Sequence, residues 1–248
     1  MSLDTSSLPP SVAEIAETLA AMPGVVAVVL GGSQGLADSD ARSDWDLAVY
    51  YRGVIELGAL AAYGEVHPPG SWGRIMNGGA WLRRGDVEVD VLLRDLDVAE
   101  HWTRQAELGV WELDALLGYI AGLPTYSLAA ELAMGRVLSG ELPPIASMPP
   151  KLVETAPPRW RFSRDFSLEY ARMHAARGNV VGVAGQVAKA AMEESHARAC
   201  DQGRWVLNEK RLIAGSGLGG LADCFVRIPR REVDLASWVD EVARALEA

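Results

Sequence analysis

The chain has 248 residues, 49% of them apolar and 23% charged, and carries a formal net charge of −10. That composition fits a folded globular protein with ample core, long enough for one large or two modest domains, and excludes disordered and fibrous classes. No apolar run approaches the roughly 20 residues that span a bilayer, and the start, Met1-Ser-Leu-Asp-Thr-Ser-Ser7, lacks the basic and apolar regions of a signal peptide. A cytoplasmic protein with no membrane partner is expected. Cys200 and Cys224 are the only cysteines, too few for a disulfide framework and without metal-ligand spacing.

The predicted elements begin with an amphipathic helix over 11–22. Ser11 is its expected cap, Val12, Ile15, Ala16 and Leu19 form an i, i+3, i+4, i+7 stripe, and Pro23-Gly24 stops it. Six apolar residues, Val25 to Leu30, read as a buried strand, and Gly31-Gly32-Ser33 follows as a turn. A second strand is expected over 45–51. Glu65-Val-His-Pro-Pro-Gly70 reads as a loop near the sheet edge, with His67 an exposed loop residue. From Trp72 to Leu93, turns at Asn77-Gly78-Gly79 and Arg84-Gly85-Asp86 divide two or three antiparallel strands. A mixed sheet of about four or five strands with helices against it is the expected fold.

Helical periodicity dominates from about residue 98. Helices are expected at 98–108, 112–121, 127–139, 161–177, 180–202 and 232–246, with a shorter one near 208–214. Leu142-Pro-Pro-Ile-Ala-Ser-Met-Pro-Pro150 reads as a rigid connector. The expected architecture is therefore α/β (α+β): a mixed-sheet catalytic domain over 1–97, then a helical domain over 98–248.

The most informative chemistry lies in Ser43-Asp-Trp-Asp-Leu-Ala-Val49. Alternate residues of a strand share a face, so Asp44 and Asp46 point together while Trp45 turns into packing. Adjacent ionised carboxylates repel, and a divalent cation with oxygen ligands relieves that repulsion. Mg²⁺ takes one or two carboxylates plus substrate phosphates. The plain alternative is that both aspartates only start a solvated strand. Gly31 and Gly32 permit close backbone approach, and a short helix starting at Ser33 would present free N–H groups to an anion such as a phosphate.

Strand, Gly-Gly-Ser and, ten positions after Ser33, Ser-Asp-Trp-Asp-Leu together resemble the nucleotidyltransferase superfamily of DNA polymerase β, the aminoglycoside and lincosamide nucleotidyltransferases and the minimal nucleotidyltransferases. The match runs over Leu30, Gly31, Gly32-Ser33 and Asp44-Trp45-Asp46-Leu47 and is firm over roughly 25–95. The resemblance implies a third carboxylate on a later strand of the same sheet. Val87-Glu-Val-Asp-Val-Leu-Leu93 supplies Asp90, deeper in its strand and favoured, with Glu88 on the same face as competitor. It further implies that Asp44, Asp46 and Asp90 hold two Mg²⁺ ions, and that Gly31, Gly32 and Ser33 hold the phosphates of a nucleoside triphosphate, ATP foremost. The acceptor would be a hydroxyl-bearing small molecule, bound between the domains. A protein-modifying enzyme that transfers AMP, an antitoxin-type member with a protein partner, and a catalytically silent nucleotide-binding regulator are the alternatives.

Several residues carry a bland reading beside a sharper one. Lys189 and Glu193 form an i, i+4 pair, which is either an exposed ion pair or, by the resemblance, a triphosphate contact (Lys189) beside a carboxylate (Glu193 or Glu194) that deprotonates the acceptor. Arg159, Arg161 and Arg164, with Arg172 and Arg177, form a solvated helix face or a phosphate site. Eight tryptophans against three phenylalanines include Trp81, Trp102, Trp111, Trp160 and Trp205, for core packing or as a platform for a ring. Gly203-Arg-Trp-Val-Leu-Asn-Glu-Lys-Arg-Leu212 is similar to a stretch in uncharacterised bacterial relatives, with no assigned chemistry.

Charge narrows the acceptor. Residues 1–125 hold 18 acidic and 7 basic side chains (−11), while 126–248 hold 15 and 16 (+1). An acidic field disfavours a polyanion, so no nucleic-acid partner is expected and a cationic acceptor is favoured.

Overall fold

The computed structural model describes residues 3–32 and 45–247. In chain order the elements are α1 (Pro10–Ala20), β1 (Val25–Leu30), β2 (Trp45–Tyr51), a 3₁₀ turn (Gly58–Ala62), β3 (Gly64–His67), β4 (Gly78–Arg84), β5 (Val87–Asp95) and α2 (Leu96–Glu107). There follow β6 (Leu113–Asp114), β7 (Leu123–Pro124), α3 (Ser127–Met134), β8 (Arg136–Gly140), α4 (Pro150–Ala175), α5 (Val180–Asp201), α6 (Leu212–Gly215), α7 (Leu221–Val226) and α8 (Glu232–Glu247). The fold is mixed α/β with a six-stranded sheet ordered β3-β4-β5-β2-β1-β8 and a helical C-terminal region. The chain divides into two compact units, 1–105 with 124–146, and 106–123 with 147–248. The division is discontinuous, unlike the single boundary at 97 expected from the sequence, because β8 returns to pair with β1.

In the first unit the two sheet faces differ sharply. Odd-numbered residues of β2 and β5 (Leu47, Val49, Tyr51, Val89, Val91, Leu93) join Val28, Leu30, Ala80 and Leu82 in one apolar core. Onto it α1 lays Val12, Ile15, Ala16 and Leu19, all fully buried, as the heptad-like spacing requires. Complete burial of one such side chain contributes roughly 1.5–3 kcal/mol. Ser11 does not cap this helix: Pro9 is the N-cap residue, Pro10 opens the first turn, and no side-chain cap bond forms.

The even-numbered face is polar at one end and closed at the other. There Arg94, 1% exposed, forks onto Glu131 of α3, with Nη2 2.7 Å from Oε1, and its Nη1 donates to the Met76 carbonyl at 2.8 Å. Tyr50 is buried beside this pair, and burial together with the Glu131 charge raises its pKa. The fork satisfies a guanidinium that would otherwise be stranded under a helix.

Four sequence expectations change. Residues 65–67 are not a loop: Gly64–His67 pairs antiparallel with β4 as an edge strand, too short to show a period on its own. No helix forms over 112–121, where Gly118 holds φ of +83° and Gly122, just beyond, +98°, left-handed values that interrupt an α-helix. The helix at 127 stops at Met134 because Gly135 turns extended and the β-prone Val137-Leu138 pairs with β1. Finally, α4 starts at Pro150, not 161, and continues through Pro157 and Pro158. Those prolines leave the carbonyls of Val153 and Glu154 without i+4 donors, a cost that burial of Leu152, Ala156, Pro157 and Trp160 offsets.

The second unit is built on α4 and α5. Its apolar core joins Leu168, Ala171, Ala175, Val183 and Val187 to Leu235, Trp238, Val239 and Val242 of α8. At its other end Trp111, Trp160 and His196 stack, with centroids 5.0 and 4.4 Å apart. His196 is 2% exposed, and burial lowers its pKa below the ordinary imidazole value. Glu209, from the 203–212 stretch, accepts from the backbone N–H groups of Ile120 and Ala121 at 2.6 and 2.9 Å and stands 3.8 Å from His196 Nε2. Burial pushes the Glu209 carboxyl up, but His196 and those N–H groups outweigh it, leaving its pKa lowered. That short motif therefore ties the 120–121 turn to α5.

Two stability predictions follow from these buried groups. Glu131→Ala should cost about 3 kcal/mol by urea denaturation because it strands Arg94, whereas the double variant Arg94→Met/Glu131→Leu should recover most of the loss. Because burial holds the folded His196 imidazole below its ordinary value of 6.5, the unfolded chain binds the extra proton as pH falls below that value. Its share of stability is thus full above that pH and lost as pH falls from 6.5 towards the lowered folded value. The urea midpoint should drop between about pH 7.5 and 5.5, and His196→Gln should flatten that slope.

Candidate active site

One row of residues crosses four strands on the polar face and ends at the turn that follows β1. Glu65 on β3 pairs with Trp81 on β4, Trp81 pairs with Asp90 on β5, and Asp90 pairs with Asp46 on β2. At the end of the row the Gly31 N–H, just past β1, donates to the Asp46 carbonyl at 2.9 Å. Residues directly opposite one another in a ladder present side chains to the same face, with neighbouring strands about 4.8 Å apart. The row therefore sets two carboxylates side by side, with a glycine turn on one flank and an indole on the other.

The pairing of β2 with β5 is parallel, running from Trp45↔Val89 to Tyr51↔Asp95 without a shift. Trp45, the neighbour of Asp46, packs against the apolar core on the other face, as alternation requires. Asp46 and Asp90 are both half-buried. Glu88 shares the face of Asp90 but lies one row out, exposed and opposite Arg83. Asp44 and Ser33 lie outside the described residues. Among the described residues no group of three His, Cys, Asp or Glu side chains is assembled as a metal site.

The glycine turn is shaped around Asp46. Gly32 has φ +60°, and a Cβ built there would overlap the Asp46 carboxylate. Only glycine meets both demands, a left-handed backbone and a carboxylate pressed against the Cα. Gly31 is less constrained, its nearest neighbour being the Asp46 carbonyl oxygen at 3.8 Å from an added Cβ. The donor set of Asp46 and Asp90 consists of hard oxygens and suits Mg²⁺ or Ca²⁺ rather than a soft metal.

On the other flank stands an aromatic cluster. His67, Trp72 and Trp81 have ring centroids 4.9, 4.4 and 5.5 Å apart. Trp72 lies over Gly79, where any Cβ would strike its ring. In the sequence Trp81 is only one of several tryptophans, and His67 reads as an exposed loop residue. The side chain of His67 is in fact 20% exposed, its Nε2 3.5 Å from Glu65 Oε1. The signal available was the alternation Gly64-Glu65-Val66-His67, which four residues cannot distinguish from a loop.

The remaining candidates sit in the second unit. Lys189 is ion-paired with Glu193, and its Nζ is 3.4 Å from Ser167 Oγ. Glu193 is fully buried and accepts from Ser167 at 2.7 Å. The neighbouring Glu194 is held by Arg164 at 2.7 Å and by Arg198 at 3.2 Å. The arginines do not form a simple solvated face: Arg164 is buried, Arg161 pairs with Asp201, and Arg159 lies 4.2 Å over the Trp111 ring.

No protein-family model and no curated protein matches this chain. Among solved structures it is similar to a nucleotidyltransferase-like protein from Exiguobacterium sibiricum 255-15, at 12% identity and a TM-score of 0.47, over 96% of this chain and 73% of that one. Among the described residues no helix is long and apolar enough to cross a membrane.

The glycine turn makes an asymmetric prediction. Gly32→Ala should lower stability by about 1–3 kcal/mol, through backbone strain and displacement of Asp46, whereas Gly31→Ala should cost clearly less. Chemical denaturation of the two variants beside the parent chain checks it.

Proposed function

We propose that the chain is a Mg²⁺-dependent nucleotidyltransferase that moves a nucleoside monophosphate from a nucleoside triphosphate, ATP foremost, to a hydroxyl of a small cationic acceptor. The observation that carries this reading is the row Gly31–Asp46–Asp90, with Gly32 moulded to the Asp46 carboxylate. Repulsion makes such a carboxylate pair costly unless its charge is used, and a glycine turn against it leaves bare backbone where a phosphate chain can approach.

In this reading Asp46 and Asp90, with Asp44 from the sequence motif, hold the metal, and Gly31, Gly32 and Ser33 receive the phosphates. When bound, Mg²⁺ supplies neutralisation of the triphosphate charge and of the departing pyrophosphate. The chain's own contribution is positioning. The unshifted β2–β5 register fixes the two carboxylates relative to each other, and the Gly31 N–H bond fixes the turn relative to Asp46. The acceptor oxygen forms a bond to the α-phosphorus, the bond from that phosphorus to the bridging oxygen of pyrophosphate breaks, and the acceptor proton leaves to solvent or a base. Orientation and charge placement supply most of the rate in such transfers. The charge of −11 over residues 1–125 supports a cationic acceptor over a nucleic acid.

Calorimetry with Mg·ATP tests the site. Asp46→Asn and Asp90→Asn should each weaken binding at least about tenfold, a cost of about 1.4 kcal/mol or more, chelator should do the same, and Glu88→Gln should bind nearly as the parent does. Unchanged affinity in both asparagine variants would remove the assignment. An acceptor screen by mass spectrometry, offering small amines, tRNA and proteins together, decides the second half. Labelling of tRNA or a protein with every small molecule untouched rules out the cationic small acceptor.

A further inference from the structure

Trp81 is 51% exposed although it stands in a three-ring cluster and directly beside Asp90. An exposed indole on a solvated edge is ordinary. An indole braced by two other rings, with a carboxylate on each side along its row, is a built surface. The bracing is specific. Trp72 is carried on the 68–77 loop, which is closed by Trp72 N–H to the Asn77 carbonyl at 3.0 Å and Gly70 N–H to Asn77 Oδ1 at 3.0 Å, and anchored by Asn77 Nδ2 to the Tyr51 hydroxyl at 2.8 Å. Asn77 accepts φ +65° to make this closure, and Gly79 gives up its side chain to make room for the Trp72 ring.

Strand order decides which part of a substrate reaches this surface. Gly31 lies on the β1 side of the Asp46–Asp90 pair, and Trp81 lies on the β4 side. A triphosphate on the glycine turn and a ring on Trp81 would thus flank the carboxylates from opposite sides. The charges beside Trp81 are Glu65 and Asp90 in its own row and Glu88 on the diagonal, with Arg83 opposite Glu88. An aromatic face bordered by carboxylates attracts a ring bearing a protonated amine, through the ring quadrupole and through Coulomb attraction. It repels a phosphate-bearing nucleotide.

We propose that Trp81, backed by Trp72 and His67 and flanked by Glu65, is the seat of the acceptor, and that it binds a ring carrying a protonated amine. This rests on the nucleotidyltransferase reading for the word acceptor; the ring site itself rests on the cluster alone. A nucleobase stacked on Trp81 is the competing occupant.

The test uses indole and backbone N–H signals in ¹H–¹⁵N spectra of the full chain, with Trp72 and Trp81 assigned from Trp72→Phe and Trp81→Phe. Glucosamine, glucose and Mg·ATP are titrated separately. Glucosamine should shift the Trp72 and Trp81 indole signals several-fold more than glucose does, and the response should shrink in Glu65→Gln, an exposed position where folding is not at stake, and with added salt. Mg·ATP should instead shift the Gly31 and Gly32 amides. Indole signals unmoved by glucosamine, or moved equally by glucose, overturn the proposal. So does a Trp81 response to Mg·ATP alone, which gives the platform to the base. If Gly31 and Gly32 ignore Mg·ATP while the indole response to glucosamine persists, the nucleotidyltransferase reading fails and the amine-ring site stands.

Discussion

The parallel pairing of β2 with β5 is the constraint on which the rest of the first unit depends. A parallel ladder needs a long crossover, and here residues 52–86 supply it, carrying β3 and β4 on the way. Its register does two jobs at once. It sets Asp46 against Asp90 on one face, and it sets Leu47, Val49, Val89, Val91 and Leu93 into the core on the other. A slip of one residue in either strand would drive that strand's aspartate into the apolar core. The core therefore enforces the geometry of the polar row, and the site inherits its precision from packing on the far side of the sheet.

The polar face shows how the sheet keeps a charged end without losing its cover. Towards the ends of β2 and β5 the face is closed by α3, with Arg94 forked onto Glu131 and Tyr50 buried beside them. Between that seal and the carboxylate row lie Ala48, Leu92 and Gly79. Small and apolar residues there separate the buried ion pair from the half-buried carboxylates. Glycine has opposite uses at the two flanks: Gly32 makes room for a carboxylate, and Gly79 makes room for an indole.

The second unit handles charge differently. Glu193, Glu194 and His196 lie buried within about one turn of α5, and each has a named neighbour: Lys189 and Ser167 for Glu193, Arg164 and Arg198 for Glu194, Glu209 for His196. Buried ions are tolerated only under such pairing. This explains why Arg164, one of the arginines that look like a solvated stripe in the sequence, is drawn inward from α4, and why Lys189 is engaged by the fully buried Glu193 rather than standing clear.

The sequence by itself determined the two strands around the glycine turn, the alternation that separates Asp46 from Trp45, the Val87–Leu93 strand, the amphipathic first helix and the two long helices near the end. Each is a local property: a period of 2 or 3.6, or a glycine where the backbone must turn. Tertiary structure decided the rest. Only the β2–β5 register singled out Asp90 over Glu88 as the partner of Asp46, since period 2 puts both on one face. Only pairing with β4 made a strand of Gly64–His67 and brought Glu65 and His67 to Trp81. Only the return of Arg136–Gly140 to β1 cut short a helix that local periodicity would have continued, because a free sheet edge beside a β-prone segment outweighs a few tenths of a kcal/mol of helix propensity per residue. Contacts between residues far apart in the chain leave no period in it, and it was those contacts that assembled the row.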